Sequence, residues 1–358
     1  MSTQGETGIT FALLPEEQQQ HYRLLEFPPE LLSLLTSDNP AKYARTTAQP
    51  SVKANDISRL QFKSQEAPPT QAVESNAVLC TPSKTYNIRQ VNTSNSVFVT
   101  RPVEGERDPG GGTQAVAQSN FTLELSPASN VSAAPYLEAA LPTYSSSGHA
   151  QPREAPVSKE ELFKNIPLSD AECEQAWTEL TCFELHHPPA CFLPTAKAKV
   201  AAWRSILNAA IVSGVDLTSI STEEQMDRII DEDDDRPVEL SRAVLRSVST
   251  VTDGDTVKVD EDRCIRRVGL NELESRTGYT PTADFTKAWA DALPEKWRDK
   301  ARLELLEGKF AIDGQQITAV ENAVPSKAGA NGEAAGAKSS LGAKRKWHDK
   351  FRASKKAA

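Results

Sequence analysis

The chain has 358 residues, enough for about two or three domains, and 38% of them are hydrophobic, which is below the usual share in globular proteins. Together with 23 prolines, this composition predicts folded regions joined by disordered linkers. The net charge of -9 excludes nucleic-acid binding through overall charge alone, although charge is concentrated locally in an acidic run at 231–235 and in the basic segment 344–358.

Nothing in the sequence predicts secretion or membrane insertion. The first residues lack the basic and apolar regions of a signal peptide, and no stretch approaches the roughly 18 apolar residues of a membrane helix. Five scattered cysteines, an odd number, fit reduced thiols inside a cell. We therefore expect a soluble intracellular protein.

Residues 8–128 predict a β-rich region. The segments ITFALLP, YRLLEFP and ISRLQFKS are typical of short strands, and PPELLSLLTS predicts a helix that begins at proline. In AVLCTPSKTYNIRQVNTSNSVFV, which begins at Ala77, the turn-forming segments TPSK and NTSN separate three apolar stretches. This pattern predicts a three-stranded meander in a sheet or barrel. The segment 101–120 resembles a loop, and FTLELSP, which begins at Phe121, predicts another strand.

A stretch rich in alanine, serine and proline, 129–156, predicts a linker, since it offers little apolar surface to bury. Helical patterns follow it. Ser158 and Ser169 each precede a glutamate by three residues, the spacing of a capping box. Thr195 is a third predicted N-cap, and its helix ends near Gly214.

The order helix, helix, hairpin then recurs, with turns predicted at Asp253-Gly254 and Asp313-Gly314. This is the order of a winged-helix unit. We predict an α+β protein, with a barrel-forming N-terminal region followed by tandem winged-helix units and a basic tail. The predicted boundaries are 157–216, 217–261 and 262–322 for the three units, 323–343 for a flexible linker and 344–358 for the tail.

No motif predicts catalysis, a cofactor or a metal site. The glycines of PGGGTQ lack the lysine of a phosphate-binding P-loop, so a flexible loop is the better interpretation. Cys182, His186, His187 and Cys191 provide zinc-ligand types, but their spacing matches no common zinc site, and a hairpin with buried cysteines explains them better. Cys80 has no local base to activate it. We therefore do not expect an enzyme.

Two basic segments are candidate DNA contacts. In the third predicted unit these are Lys296, Arg298, Lys300 and Arg302, although acidic neighbours also fit an ordinary solvated surface. In the tail they are Lys344, Arg345 and Lys346, which fit either a nuclear-import signal or a peptide that docks on a partner through Trp347 and Phe351.

The segments YRLLEFPPELLSLL, LQFKS, AVLC, KTYNIRQ and TSNSVFV occur in that order, and FTKAWADALP precedes LELLEGKFAID. In these segments the chain resembles the family called defective in sister chromatid cohesion protein one. The resemblance is most specific over 22–99 and thinner over 157–320, and LGAKRKWHDKFRASKK resembles the C-terminal peptide of fungal members.

This resemblance implies a nuclear, non-ATPase subunit of an alternative replication factor C, the clamp loader built on the large chromosome-transmission-fidelity subunit. It implies that the β region forms a shared barrel with that subunit and with a small cohesion partner. It also implies that the winged helices contact the catalytic region of DNA polymerase epsilon and DNA. Contact with the replication factor C small subunits and the sliding clamp would be indirect, and no membrane is involved.

Strands with open edges can be completed by another chain, so we predict that a shared core contains Leu79, Tyr86, Ile88, Val97 and Phe98. Periodicity alone does not show which of them face the partner, because a one-residue slip inverts the faces. The alternative hypothesis is a stand-alone winged-helix DNA-binding regulator. It differs from the adaptor in requiring sequence-preferring binding to duplex DNA by the helical region alone.

Overall fold

The structure is a computed structural model of the chain. It describes residues 10–20, 22–36, 60–64, 77–103, 112–129, 131–145, 158–186, 188–230, 236–251 and 256–320. Within these ranges helices and strands are combined, which confirms the predicted α+β class.

The N-terminal region is a six-stranded sheet with one helix on it. Its elements are β1 (Thr10–Leu13), β2 (Leu24–Glu26), α1 (Pro29–Thr36), β3 (Gln61–Ser64), β4 (Ala77–Cys80), β5 (Thr85–Val103) and β6 (Gly112–Pro127). The strand order is β1-β6-β5-β4-β3, and β2 also pairs with β6. The sheet is therefore open, and the described residues of this chain do not close the barrel predicted for 8–128.

β5 and β6 pair antiparallel as a long ribbon, which corrects two predictions. The predicted turn in NTSN is wrong, because β5 continues as one strand of 19 residues. Pairing stops after Asn92 and resumes at Val97, so an irregularity within the strand accommodates the turn-forming residues. The predicted loop at 101–120 is wrong from Gly112 onward, because pairing with β5 holds this stretch extended despite its weak strand pattern.

One face of the sheet has a small hydrophobic core beneath α1. Leu31, Leu79, Tyr86 and Leu125 are its buried members. These four side chains are too few to make the sheet strongly stable by itself, since burying each one contributes only about 1.5–3 kcal/mol. The sheet therefore depends on further contacts, which it makes with the helical region.

The helical region begins inside the predicted linker and continues to Ala319. Its elements are α2 (Ala134–Ala140), β7 (Thr143–Tyr144), α3 (Lys159–Asn165), α4 (Asp170–Leu180), β8 (Phe183–His186), β9 (Pro189–Pro194), α5 (Ala196–Val212), β10 (Ile220–Thr222), α6 (Glu223–Ile230), α7 (Val238–Val248), β11 (Ser249–Val251), β12 (Thr256–Val259), α8 (Glu261–Glu274), β13 (Thr280–Pro281), α9 (Thr282–Asp291), β14 (Phe310–Asp313) and β15 (Gln316–Ala319). Among the described helices, none is long and apolar enough to cross a membrane.

The linker predicted for 129–156 is wrong for Ala134–Tyr144. Leu137 and Leu141 are buried there against α3 and α4, and β7 pairs with β9. The composition, rich in alanine, serine and proline, hides these few apolar anchors. Their burial is enough because the surrounding helices supply the rest of the core.

One order of elements occurs three times: a helix, a short strand, two helical segments (three in the last case) and a hairpin. We call these stretches the first repeat (134–194), the second repeat (196–259) and the third repeat (261–319). In each, the first strand pairs with the third and the third with the second. The first two predicted units, 157–216 and 217–261, begin one helix later, because the sequence pattern does not show that α2 and α5 pack on helices that follow them. The third predicted unit, 262–322, begins at the same helix as the third repeat, α8.

Helix starts were largely predictable from local sequence. Ser158, Ser169 and Thr195 cap their helices as predicted. In STEEQMDRII the pattern predicts Ser221 as the cap of α6, but Ser221 lies in strand β10 and the side chain that accepts a backbone N–H, from Gln225, is that of Thr222. In the third repeat, EKWRDKARLELLEGK has the pattern of a single helix but forms two 3-10 segments, Glu295–Lys300 and Leu303–Leu306.

One large core joins the second and third repeats and reaches the hairpin of the first, whose other buried side chains form a core of their own. It contains Phe183 and Phe192 of the first repeat, together with most buried side chains of the second and third. At its centre the Trp289 indole lies against the backbone of α8 at Gly269, and its Nε1 donates a hydrogen bond to the carbonyl of Ile265 at 2.9 Å. Because a Cβ at Gly269 would overlap the ring, this glycine sets the distance between α8 and α9.

All five cysteines are buried and reduced. Burial raises the pKa of Cys173, Cys182 and Cys191 to about 12, and it also raises the pKa of Cys80 and Cys264. These thiols therefore fill the core as small apolar groups.

We expect Gly269→Ala to lower the free energy of unfolding by about 1–3 kcal/mol, because the added methyl group overpacks the contact with Trp289. Urea unfolding followed by circular dichroism measures this. In the double variant with Trp289→Phe, which frees space, the loss should be smaller than the sum of the single losses. A Gly269→Ala protein as stable as the wild type would contradict this account.

At pH 8 we expect the native thiols to react slowly with a chromogenic disulfide reagent and the urea-unfolded thiols to react quickly, because the thiolate is the nucleophile. Folded pKa values above the unfolded value of roughly 8.5 also mean that stability is complete below that pH and falls as pH rises. Rapid reaction of any thiol in the native full-length chain would show that the cysteine is accessible.

Candidate partner-binding surface

One long edge of the sheet is open. β5 pairs with β4 only at Thr85–Asn87, and from Ile88 to Val103 this edge of β5 has no strand partner within the described ranges. An unpaired edge presents backbone N–H and C=O groups that a strand of another chain can pair with. We call residues 88–103 of β5 with 112–125 of β6 the β5–β6 arm.

Exposed apolar side chains lie on the arm and on β1, the strand that pairs with the side of β6 away from β5. Val97 and Phe98 on the arm are 42% and 38% exposed, and Phe11 and Leu13 on the adjoining β1 are 54% and 50% exposed. The rings of Phe11 and Phe98 meet edge to face with centroids 5.8 Å apart. Large apolar groups grouped beside unpaired backbone are a feature of binding surfaces, since both kinds of group gain from being covered.

The five residues predicted for a shared core fall into two groups. Leu79 and Tyr86 are fully buried in the sheet's own small core, and Ile88 packs partly against it. Val97 and Phe98 are exposed. Only the last two are placed to meet another chain directly.

Phe11 and Leu13 were missed as candidate contacts. The alternation in ITFALLP predicted the strand correctly, but it gave no sign that β1 lies parallel to β6 beside the arm. That neighbourhood comes from pairing between segments about a hundred residues apart, which a local pattern does not contain.

The cations predicted for the third repeat are mostly engaged within the chain. Lys296 forms an ion pair with Asp216 at 2.7 Å, which holds the pKa of Asp216 at about 2. Lys300 pairs with Glu261, and this hydrogen bond raises the pKa of Lys300. Arg298 donates from Nε to the carbonyl of Leu293, while the Arg302 side chain is exposed.

The helix that precedes each hairpin differs in accessibility between the repeats. In the first repeat α4 packs on α2, on α7 and on the turn between β4 and β5. In the second repeat α7 is enclosed by α4, α5, α8 and β8. In the third repeat the corresponding 3-10 segments carry exposed cations, since the side chain of Lys296 is 67% exposed. These segments pack mainly on α8 and α9 of their own repeat.

Some predicted features lie outside the described residues. These are the tail cations Lys344, Arg345 and Lys346, the acidic run 231–235 and His187. Among the described residues, no three potential ligands are grouped to hold a metal ion. Cys182 and Cys191, weighed above as zinc ligands, are instead part of a hydrophobic core.

Comparison with known proteins gives one family. A search of curated proteins finds no match. A protein-family model described as sister chromatid cohesion protein Dcc1 matches residues 22–324, which is most of the chain and includes the three repeats and all strands of the sheet except β1. The chain therefore belongs to the sister chromatid cohesion protein Dcc1 family.

Proposed function

We propose that this protein is a non-catalytic adaptor subunit of an alternative replication factor C clamp loader and that it acts in the nucleus. Membership of the sister chromatid cohesion protein Dcc1 family supports a role in sister chromatid cohesion. The open edge of the β5–β6 arm is the observation that carries the adaptor role. A surface built of unpaired backbone and exposed apolar side chains suits a permanent protein partner.

In this proposal, strands from the small cohesion subunit and from the large chromosome-transmission-fidelity subunit add to the arm and complete a barrel. Pairing would satisfy the edge of β5 between Ile88 and Val103, and it would bury Val97 and Phe98 together with Phe11. Backbone pairing gives affinity in such complexes, and the apolar side chains give register. The replication factor C small subunits and the sliding clamp would be reached through these partners.

We also propose that the three repeats are winged-helix units, since each has a helix, a strand, further helical segments and a hairpin with the strand order described above. In the proposal they connect the loader to the catalytic region of DNA polymerase epsilon and to DNA. The third repeat is the best placed for this, since the equivalent helices of the other two are covered. The basic tail, with Lys344, Arg345 and Lys346, could add a further DNA contact or act as an import signal.

We expect Val97→Asp with Phe98→Asp to abolish assembly, because a charged residue at a buried interface is costly. The test is affinity purification of tagged full-length chain followed by mass spectrometry. Wild type should recover the small cohesion subunit and the large subunit, and the double variant should lose both. Ile312→Asp, an equally exposed apolar residue on β14, is the matched control and should recover both. A wild-type chain that recovers no clamp-loader subunit would refute the adaptor role.

For DNA, we expect weak binding without base preference and a steep dependence on salt. Arg302→Gln should reduce the slope of log affinity against log salt by about 1, since one phosphate contact is lost. Lys300→Gln should reduce it less, because its ammonium already pairs with Glu261.

Fluorescence anisotropy over a salt series measures these slopes. Arg89→Gln, at an exposed cation on the sheet, is the control and should change nothing. Tight, sequence-preferring binding to duplex DNA would instead favour the alternative, a stand-alone winged-helix regulator.

A further inference from the structure

The base of the β5–β6 arm is held against one corner of the first repeat. This corner, residues 163–172, contains the end of α3 and the start of α4. Two side chains from the sheet reach it, Lys63 on β3 and Thr85 at the first position of β5. The corner therefore receives contacts from two different strands.

Lys63 closes the end of α3. Its Nζ donates hydrogen bonds to the carbonyl oxygens of Phe163 at 3.0 Å, Ile166 at 3.0 Å and Leu168 at 2.7 Å. An ammonium group has three donors, and all three are used here on carbonyls near a helix end, where such groups lack partners within the helix. The negative end of the helix dipole also favours a cation at this place.

Thr85 joins the cap of α4. Its hydroxyl accepts a hydrogen bond from the backbone N–H of Ser169 at 2.8 Å and donates one to Oε2 of Glu172 at 2.5 Å. Ser169 and Glu172 already form the capping box of α4, so Thr85 adds a third member. Beside it, the backbone N–H of Ala171 donates to the carbonyl of Pro82 at 3.1 Å.

These contacts lie at the start of β5, far along the strand from Phe98. Tyr86 and Phe98 of β5 pair with Pro127 and Gln118 of β6, which are nine residues apart, or about 30 Å at roughly 3.3 Å per residue. A tilt of about 10° at the base would move Phe98 by about 5 Å at the same strand rise. The direction of the arm is therefore sensitive to the contacts at its base.

We infer that Lys63 and Thr85 are positioning residues that set the angle between the β5–β6 arm and the helical repeats. Neither residue lies on the open edge, so each acts on a bound partner only through the direction of the arm. That this direction matters for binding a partner rests on the proposed function. The positioning itself is a property of the chain without a partner.

Pulsed electron paramagnetic resonance on the full-length chain tests this inference. Spin labels are attached at Gln118→Cys on the arm and Asn208→Cys on α5, both exposed positions, and the five native thiols are buried. We expect a narrow distance distribution for this labelled parent. Lys63→Met and Thr85→Val should each widen it at least about twofold or shift its maximum by several ångströms, in keeping with the displacement estimated above for Phe98.

Two matched variants complete the experiment. Thr85→Ser keeps the hydroxyl and should retain the narrow distribution. Lys84→Met removes a lysine next to Thr85 that forms an ion pair with Glu30 on the exposed surface, and it should also leave the distribution unchanged. If Lys63→Met does not fold, as judged by circular dichroism, the comparison of Thr85→Val with Thr85→Ser decides the question.

An unchanged distribution in Lys63→Met and Thr85→Val would overturn the inference. The capture of partners, measured separately by affinity purification, tests the proposed function. Widened distributions with partner capture retained support positioning as distinct from binding. Failure of the wild type to capture partners would refute the proposed function and leave the distance result as it stands.

Discussion

Three carbonyl groups at the end of α3 accept hydrogen bonds from one ammonium group, that of Lys63. The relation between the two parts of this protein depends on that interaction and on the neighbouring one between Thr85 and Glu172. The sheet has a small core, so it cannot rely on apolar burial alone. Directional hydrogen bonds to two helix ends hold it in a defined orientation, which apolar contact would specify less strongly.

The helical region to which the sheet is attached is held together by contacts between its repeats. Trp203 of α5 donates from Nε1 to the carbonyl of Ala292 in the third repeat at 2.7 Å, and Arg267 of α8 donates to the carbonyl of Glu179 at the end of α4. These contacts cross between repeats that are distant in sequence. The three repeats are therefore packed against one another, and this packing covers α4 and α7 with neighbouring elements.

The same packing bears on the two surfaces proposed for binding. α4 and α7 are used to hold the repeats together. The proposed surfaces are therefore the open edge of the β5–β6 arm and the third repeat with Arg302. They belong to different parts of the fold, which suits the proposed adaptor role.

Local sequence was sufficient wherever a feature depends on near neighbours. The caps at Ser158, Ser169 and Thr195 were predicted because each needs only the backbone of the next turn. The hairpin β14–β15 followed from a glycine that accepts a positive φ, 60° at Gly314. The sequence also predicted the β-rich region, the helical region that follows it and the family. It further predicted that the sheet has an open edge.

Tertiary structure decided the features in which distant segments meet. The turn-like NTSN became part of a strand because β6 pairs on both sides of it, and Ala134–Tyr144 became ordered because α4 and β9 cover it. In the candidate site, Val97 and Phe98 were predictable as apolar strand residues, but their exposure and their proximity to Phe11 were not. Lys63 looked like an ordinary strand lysine, since its partners lie a hundred residues away. Sequence alone thus determined the local elements and the family, and long-range hydrogen bonding and burial determined how they are joined.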